Sequence, residues 1–406
     1  MKIGIIKERK NPPDRRVVFS PAKLVELKNL YPEVEIVVES SDIRIFPDEA
    51  YTEKGFTVSD DLSSCDVLLG VKEVPIHALL PNKKYFFFSH TIKKQAYNRK
   101  LLQAILKNNI TLYDHETITA KNGARLIGFG RYAGIVGAYN GFRAFGLKEG
   151  KFNLSKAEDL ADYNSLLAEL KKVILPNSFK ILLSGQGKVA AGAREILEAL
   201  NIKEVKVEEY LNQDFKEEAV FCQIKVLDYN KRKDGKQLGE EDFFSHPEKY
   251  TSDFMRFAKV TDYFIAGHFY GEGSPYLFTR KDAKSADFNI SLIADVSCDI
   301  DGPVASTIRP STIANPFYGY DPQAEKEVDF DTDNAITVMA VDNLPCELPK
   351  DASEGFGKMF LEHVIPAFFN GDKDGILARA KMTENKKLTP KYAYLEDYVN
   401  QEDSLF

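Results

Sequence analysis

Apolar and polar positions alternate along the first third of the chain in short bursts. Runs rich in β-branched and aromatic residues at 2–6, 35–39, 67–71, 84–88 and 110–114 read as strands. Between the last two, residues 96–106 read as an amphipathic helix with Leu101, Leu102 and Ile105 on one face. Strands that alternate with helices predict an α/β layer around a mainly parallel sheet. From 126 to 146, glycines and small residues interrupt aromatic ones, which suits a long, closely packed segment crossing to a second domain. A polar stretch over 148–177 follows, with helical period around 160–174. A new α/β unit then starts: a strand at 179–184, a tight turn at 185–188, a helix at 190–200 and a strand at 205–210. Later strand-like runs lie at 263–267, 292–296 and 336–341, and the charged connection 228–241 reads as a surface loop. A helix over 353–369 places Phe356, Met359, Phe360, Val364 and Phe368 on one face, suited to returning onto the first domain.

Composition narrows the field. The 406 residues are 44% hydrophobic and 28% charged, which fits a globular protein of two or three domains and excludes disorder as the main character. No run of about 18 apolar residues and no leader pattern occurs, so a membrane span or signal peptide is not expected and the cytoplasm is the expected address. A net charge of -7 without a basic block argues against nucleic acid as partner. Four cysteines without C-x-x-C spacing make a structural zinc or a disulfide framework improbable, and no metal site is indicated.

The sharpest local signal is Gly185-Gln186-Gly187-Lys188-Val189-Ala190-Ala191-Gly192, between a predicted strand and a predicted helix. A dinucleotide site needs one glycine for the turn, a second so that backbone approaches the pyrophosphate, and a helix N-terminus aimed at it. The third glycine of the usual pattern is displaced, with Ala190 in its place and Gly192 two residues on. The predicted strand at 205–210 supplies Glu208 and Glu209; either suits a ribose 2′-hydroxyl, which leans toward NAD, and both read equally well as solvated acids.

In the first domain, acid/base and cationic groups gather at predicted strand ends. They are Arg15 and Arg16, then Lys72 and Glu73, then His90 with Lys93, Lys94 and Gln95, then Glu116 and Arg125. Ligands of open α/β sheets bind at the carboxyl ends of strands, so these clusters are expected to converge. A lysine of depressed pKa and a histidine can together shuttle protons. Arg16 is the best candidate anchor for a substrate carboxylate, because guanidinium offers two parallel hydrogen bonds; Arg15 reads equally as surface charge.

Residues 86–95 (FFFSHTIKKQ) and 123–130 (GARLIGFG) resemble the lysine–2-oxoglutarate reductase half of α-aminoadipic semialdehyde synthase and the lysine-forming saccharopine dehydrogenases. Both lie within the alanine dehydrogenase and transhydrogenase superfamily, whose early Lys-Glu, Arg and Pro pattern is similar to Lys7-Glu8, Arg16 and Pro21. Residues 246–250 (HPEKY), 295–299 (DVSCD), 315–317 (NPF), 341–345 (VDNLP) and 388–392 (LTPKY) extend the resemblance over essentially the whole chain. It implies two Rossmann-like doubly wound domains with a cleft between them: a substrate domain of 1–130 plus 345–406 and an NAD(P)-binding domain of 131–344. It implies condensation of lysine with 2-oxoglutarate and reduction of the imine to saccharopine, or the reverse. By motif, Lys72 and His90 map onto the acid/base pair, and Arg16, Glu73, Gln95, Glu116 and Arg125 onto substrate contacts, with Lys93 or Arg131 as further cations. Gly185, Gly187, Lys188, Val189, Asp295, Asp342 and Asn343 map onto the cofactor site. NAD against NADP stays open, since the reductase branch commonly uses NADPH, as does the choice of monomer or homodimer. The alternatives are an alanine dehydrogenase-like enzyme, a transhydrogenase subunit, or a sensing module without turnover.

Overall fold

The computed structural model describes residues 1–401, which form two compact units. One is Met1–Phe129 together with the chain from Pro349 onward, and the other is Gly130–Leu348. Among the described residues no helix is long and apolar enough to cross a membrane.

The first unit is built on six parallel strands: β1 (Lys2–Ile5), β2 (Glu35–Glu39), β3 (Thr57–Ser59), β4 (Val67–Leu69), β5 (Lys84–Phe87) and β6 (Thr111–Asp114). Their order is β3-β2-β1-β4-β5-β6, so the direction of winding reverses between β1 and β4. Ile3, Ile5, Leu68, Leu69, Phe86, Phe87 and Leu112 are fully buried, as strands covered on both faces require. The helix Pro349–His363 returns to this sheet and sets Phe360 against Phe86 (5.8 Å between ring centroids) and Phe19 (5.6 Å). The single helix expected over 353–369 is two, Pro349–His363 and Ile365–Phe369. Pro366 has no N–H to give the preceding turn, so the chain breaks there and starts again.

The second unit contains an eight-stranded sheet of order β15-β14-β16-β13-β12-β7-β9-β8. Its strands are β7 (Lys180–Ser184), β8 (Lys203–Glu204), β9 (Val220–Ile224), β12 (Tyr263–Ala266), β13 (Leu292–Asp295), β14 (Phe317–Asp321), β15 (Lys326–Val328) and β16 (Ile336–Met339). A separate antiparallel ribbon, β10 (Asn230–Arg232) with β11 (Tyr250–Ser252), occupies part of the segment expected to be a plain surface loop. Arg232 pins the connection that follows β10 by bonding Asp234 and Asp242. The strand expected at 205–210 is also revised. Only Lys203–Glu204 pairs, at the sheet edge, and Val207–Asn212 is a helix. The Glu209 carboxylate accepts from Lys206 N (3.0 Å), closing the first turn, and buried Tyr210 hydrogen-bonds Thr261, so helical geometry wins over the β-branched run.

The segment rich in glycine and aromatics is the helix Gly130–Glu149, which packs on the helix Lys188–Ala199. A Cβ on Gly134 would stand 1.9 Å from Val189 O, and one on Gly192 1.9 Å from Arg131 O. The displaced glycine of the turn motif therefore serves contact between two helix backbones.

Candidate active site

Parallel pairing aligns the carboxyl ends of β4, β5 and β6, and the residues just beyond them meet. Gly70 N donates to Phe86 O and Phe88 N to Val71 O, which carries the ladder past the strands into both loops. Glu8, three residues after β1, reaches across the reversal point: its two carboxylate oxygens accept Val71 N (2.7 Å) and Lys72 N (2.8 Å). The backbone of Lys72 is thereby fixed by a group 64 residues away. Burial, reinforced by Asp14, raises the Glu8 carboxyl to about 8 against the pull of those two N–H groups. Burial, with Arg16 and Lys10 close by, holds the Lys72 amine below its usual range.

Beside Lys72, Glu73 Oε1 bonds His90 Nδ1 at 2.6 Å, and Glu73 Oε2 lies 3.4 Å from Lys10 Nζ. Burial opposes ionisation of Glu73, but the His90 bond outweighs it and brings the carboxyl to about 2. The other imidazole nitrogen, His90 Nε2, is 3.8 Å from Glu116 Oε1, so the ring stands between two carboxylates. His90 itself has φ +55, a left-handed turn that carries the chain from β5 into the short helix 91–93. Glu116, only 7% exposed, also meets Lys93 Nζ (3.8 Å) and Arg125 Nη2 (3.1 Å). Asp114 ties two of the loops together by accepting from Ser89 N (3.0 Å), the Ser89 hydroxyl and Glu116 N (2.7 Å). Burial raises its carboxyl to about 6.

Six of the expected groups thus come together: Lys72, Glu73, His90, Lys93, Glu116 and Arg125. Arg16 reaches the cluster in another role. Its fork binds Asp14 (Nε–Oδ1 3.0 Å, Nη2–Oδ2 2.6 Å) and its plane lies 4.3 Å over the Phe129 ring, so Asp14 takes the place expected for a substrate carboxylate. Removing one partner of so buried a pair costs about 3–5 kcal/mol. Arg15 is exposed. Gln95 is exposed and accepts from Tyr97 Oη (2.6 Å), outside the cluster. Arg131 belongs to the second unit, where it pairs with Glu195. Glu8, Asp14 and Asp114 went unread as part of this site. Glu8 and Asp114 reach partners far along the chain, Val71 and Lys72 for the one and Ser89 for the other, while Asp14 pairs two residues on with Arg16, the expected substrate anchor. The cavity of about 370 Å³ lined by Val25, Ile36 and Phe56 holds none of these groups.

In the second unit, Gly185 follows β7 at φ +97, a region that favours glycine, and a Cβ there would stand 2.5 Å from Gly267 O. Gly187 stands at the N-cap of the Lys188–Ala199 helix and has no side chain to bond the first-turn N–H groups. Lys188 is exposed and Val189 half-buried beside them. This turn suits a pyrophosphate.

Three cofactor expectations change. Glu208 and Glu209 sit on the helix Val207–Asn212, with Glu209 occupied as a cap, and the strand flanking β7 on the side away from β12 is β9, which ends before Lys225. Asp295 is fully buried, and its carboxylate takes up Ser297 Oγ (2.5 Å), Cys298 N (3.1 Å) and Thr307 Oγ1 (2.6 Å), the bonds of a loop staple. Asp342 and Asn343 do follow β16, the first exposed and the second half-buried.

Residues 4–136, which hold all of the acid/base cluster, match the family described as alanine dehydrogenase/PNT, N-terminal domain. Over 97% of its length it is 30% identical to an α-aminoadipic semialdehyde synthase of Arabidopsis thaliana, of which it covers 41%. It is 23% identical, over 82% of its length, to 83% of the saccharopine dehydrogenase [NAD(+), L-lysine-forming] of Yarrowia lipolytica. The chain spans less than half the length of the synthases it matches. A solved L-alanine dehydrogenase aligns with 98% of the chain at a TM-score of 0.66 and 16% identity, a likeness of fold with two Rossmann-like domains. The chain is thus related to amino-acid oxidoreductases.

Proposed function

We propose that the chain interconverts lysine plus 2-oxoglutarate with saccharopine, using a nicotinamide dinucleotide. The observation that carries this reading is the His90 imidazole set between Glu73 and Glu116 beside a Lys72 amine that burial keeps easily deprotonated. Imine formation needs a neutral amine, a donor for the departing water, and a base that takes up the released proton. Lys72 and His90 exchange those protons. Glu73, ionised throughout the neutral range, orients the imidazole through Nδ1 and leaves Nε2 for the substrate. Arg125 and Lys93, both more than half exposed and leaning on Glu116, are placed to accept substrate carboxylates, and Lys10 adds a third cation. Arg16 pushes the Lys72 amine toward its neutral form, and Asp14 partly opposes it.

The glycine turn Gly185–Gly187, with Lys188 and Val189, holds the pyrophosphate of the dinucleotide, which supplies the hydride. Lys225, the first residue after the strand flanking β7, favours a 2′-phosphate and hence NADPH. Purified protein mixed with lysine, 2-oxoglutarate and NADPH or NADH should consume the reduced nicotinamide, read by its absorbance. Consumption with pyruvate and ammonia alone would replace this reading with an alanine dehydrogenase-like one. Consumption with neither substrate pair would leave a binding module.

A further inference from the structure

The winding of the second sheet reverses between β7 and β12, and the turn that follows β12 carries Gly267 and His268. His268 is 7% exposed. Its Cα lies 2.9 Å from where a Cβ on Gly185 would stand, so its backbone lies against the glycine turn. Nδ1 is 2.8 Å from Ser184 Oγ, at the end of β7, and the ring meets Tyr229, beyond the end of β9, edge to face at 6.2 Å. The imidazole therefore sits among the carboxyl ends of β7, β9 and β12. Its Nε2 has no hydrogen-bond partner among the described residues. A buried polar nitrogen left without a partner is uncommon in folded proteins and costs stability.

Burial keeps this ring neutral above about pH 4, so it carries one N–H. The contact accommodates the tautomer in which the Ser184 hydroxyl gives its hydrogen to Nδ1, and this is the tautomer we assign. The imidazole N–H is then on Nε2, an unspent donor at the point of an open α/β sheet where ligands bind. The acceptor it lacks matches the oxygen-rich ADP portion of a dinucleotide.

We propose that His268 is a cofactor-binding residue whose Nε2–H donates to an oxygen of the ADP half of the dinucleotide. This rests on the dinucleotide reading above and adds a residue that the glycine pattern does not contain. Isothermal titration of the full chain with ADP-ribose, NADH and NADPH tests it. His268→Asn keeps an amide that can reach Ser184 but removes everything at Nε2, and should weaken all three ligands by roughly tenfold. His268→Gln, which returns an N–H near Nε2, should recover part of the loss. The KM for the amino-acid substrate should stay unchanged in both variants. Unaltered ADP-ribose affinity in a folded His268→Asn protein overturns the inference and leaves the dinucleotide reading standing. Failure of the wild-type protein to bind any of the three ligands overturns the dinucleotide reading itself. Should the variants not fold, the imidazole nitrogen resonances of the wild-type protein decide: ADP-ribose should shift the Nε2 signal of His268, and an unmoved signal refutes the assignment.

Discussion

The two sheets reverse their winding in the same way and fill the point of reversal in opposite ways. Between β1 and β4, Glu8 spans the gap and spends both oxygens on backbone N–H groups, while Asp14 and Arg16 neutralise each other alongside Lys72. Between β7 and β12, the glycine turn lies directly against Gly267 and His268, the helix start lacks a side-chain cap, and an imidazole nitrogen goes unused. The first site is assembled by its own charges before a ligand arrives, which suits proton transfer, since preset charges need not reorganise during reaction. The second leaves the buried Nε2 of His268 without a partner among the described residues, which suits binding an oxygen-rich ligand.

The sharpest way to break this contrast is to remove the proton carriers. Lys72→Met and His90→Gln should each lower kcat by about 10²- to 10⁴-fold, with ADP-ribose affinity by titration calorimetry unchanged. A loss under about tenfold in both would remove the pair from the chemistry. Since the Lys72 amine sits below its ordinary range, the wild-type rate in the direction that needs it neutral should rise with pH and level off earlier than for a free lysine side chain.

Next in size is a pair of glycine substitutions within one motif. Gly192→Ala drives a methyl into Arg131 O and should cost at least about 1–3 kcal/mol of stability by denaturant titration. Gly187→Ala meets nothing within 4 Å at a φ of -83 that any residue adopts, so its melting temperature should match the wild type while ADP-ribose binding weakens. Equal melting temperatures for the two variants would undo the separation of packing from binding.

Glu8 gives a smaller, pH-dependent effect. A carboxyl raised on folding from 4.5 to about 8 stabilises the fold fully below pH 4.5 and loses that contribution as pH rises toward 8. Glu8 should therefore pull the wild-type melting temperature down across this window, against the rise up to about pH 6.5 from His115 and His268, which burial lowers to about 3 and about 4. Glu8→Gln should remove the Glu8 part of the slope, leaving the declining parts due to Asp114, raised to about 6, and Glu347, raised to about 8, and the rising parts due to the two histidines. An unchanged slope would mean that Glu8 stays ionised.

How much was readable beforehand follows the range of the interactions. Period and run length marked five of the six strands of the first sheet, missing the three-residue edge strand Thr57–Ser59, and marked the helix with Leu101, Leu102 and Ile105 and the Phe356 and Phe360 face, because each depends on residues a few positions apart. Lys72, His90 and Glu116 were visible as chemistry at strand ends. Their orientation was not, since it depends on Glu8 reaching 63 and 64 residues ahead and on Asp114 holding Ser89 from 25 residues away. Glu208 and Glu209 misled for a related reason. Distance along the chain from the glycine turn stands in for place in the sheet only if the next strand lies beside β7, and here a two-residue edge strand intervenes.

That exchange of strands leads to the mildest test. Gly185 N donates to Ile224 O at 3.0 Å, so the end of β9 lies against the glycine turn, where the strand carrying the ribose-binding acid usually runs. The residue after Ile224 is Lys225, exposed, with its N–H bonded to the Asp228 carboxylate at 2.7 Å. That bond commits Asp228 to the turn and leaves the lysine as the charge available to a 2′ substituent. A cation there attracts a 2′-phosphate, and an acid repels it. The ratio of kcat/KM for NADPH to that for NADH should exceed one in the wild-type protein and fall by about tenfold in Lys225→Glu, the size of one charge contact near a surface. A ratio that does not move would place the adenosine ribose away from β9, and a wild-type preference for NADH would show that a strand's position in the sheet does not set cofactor choice in this chain.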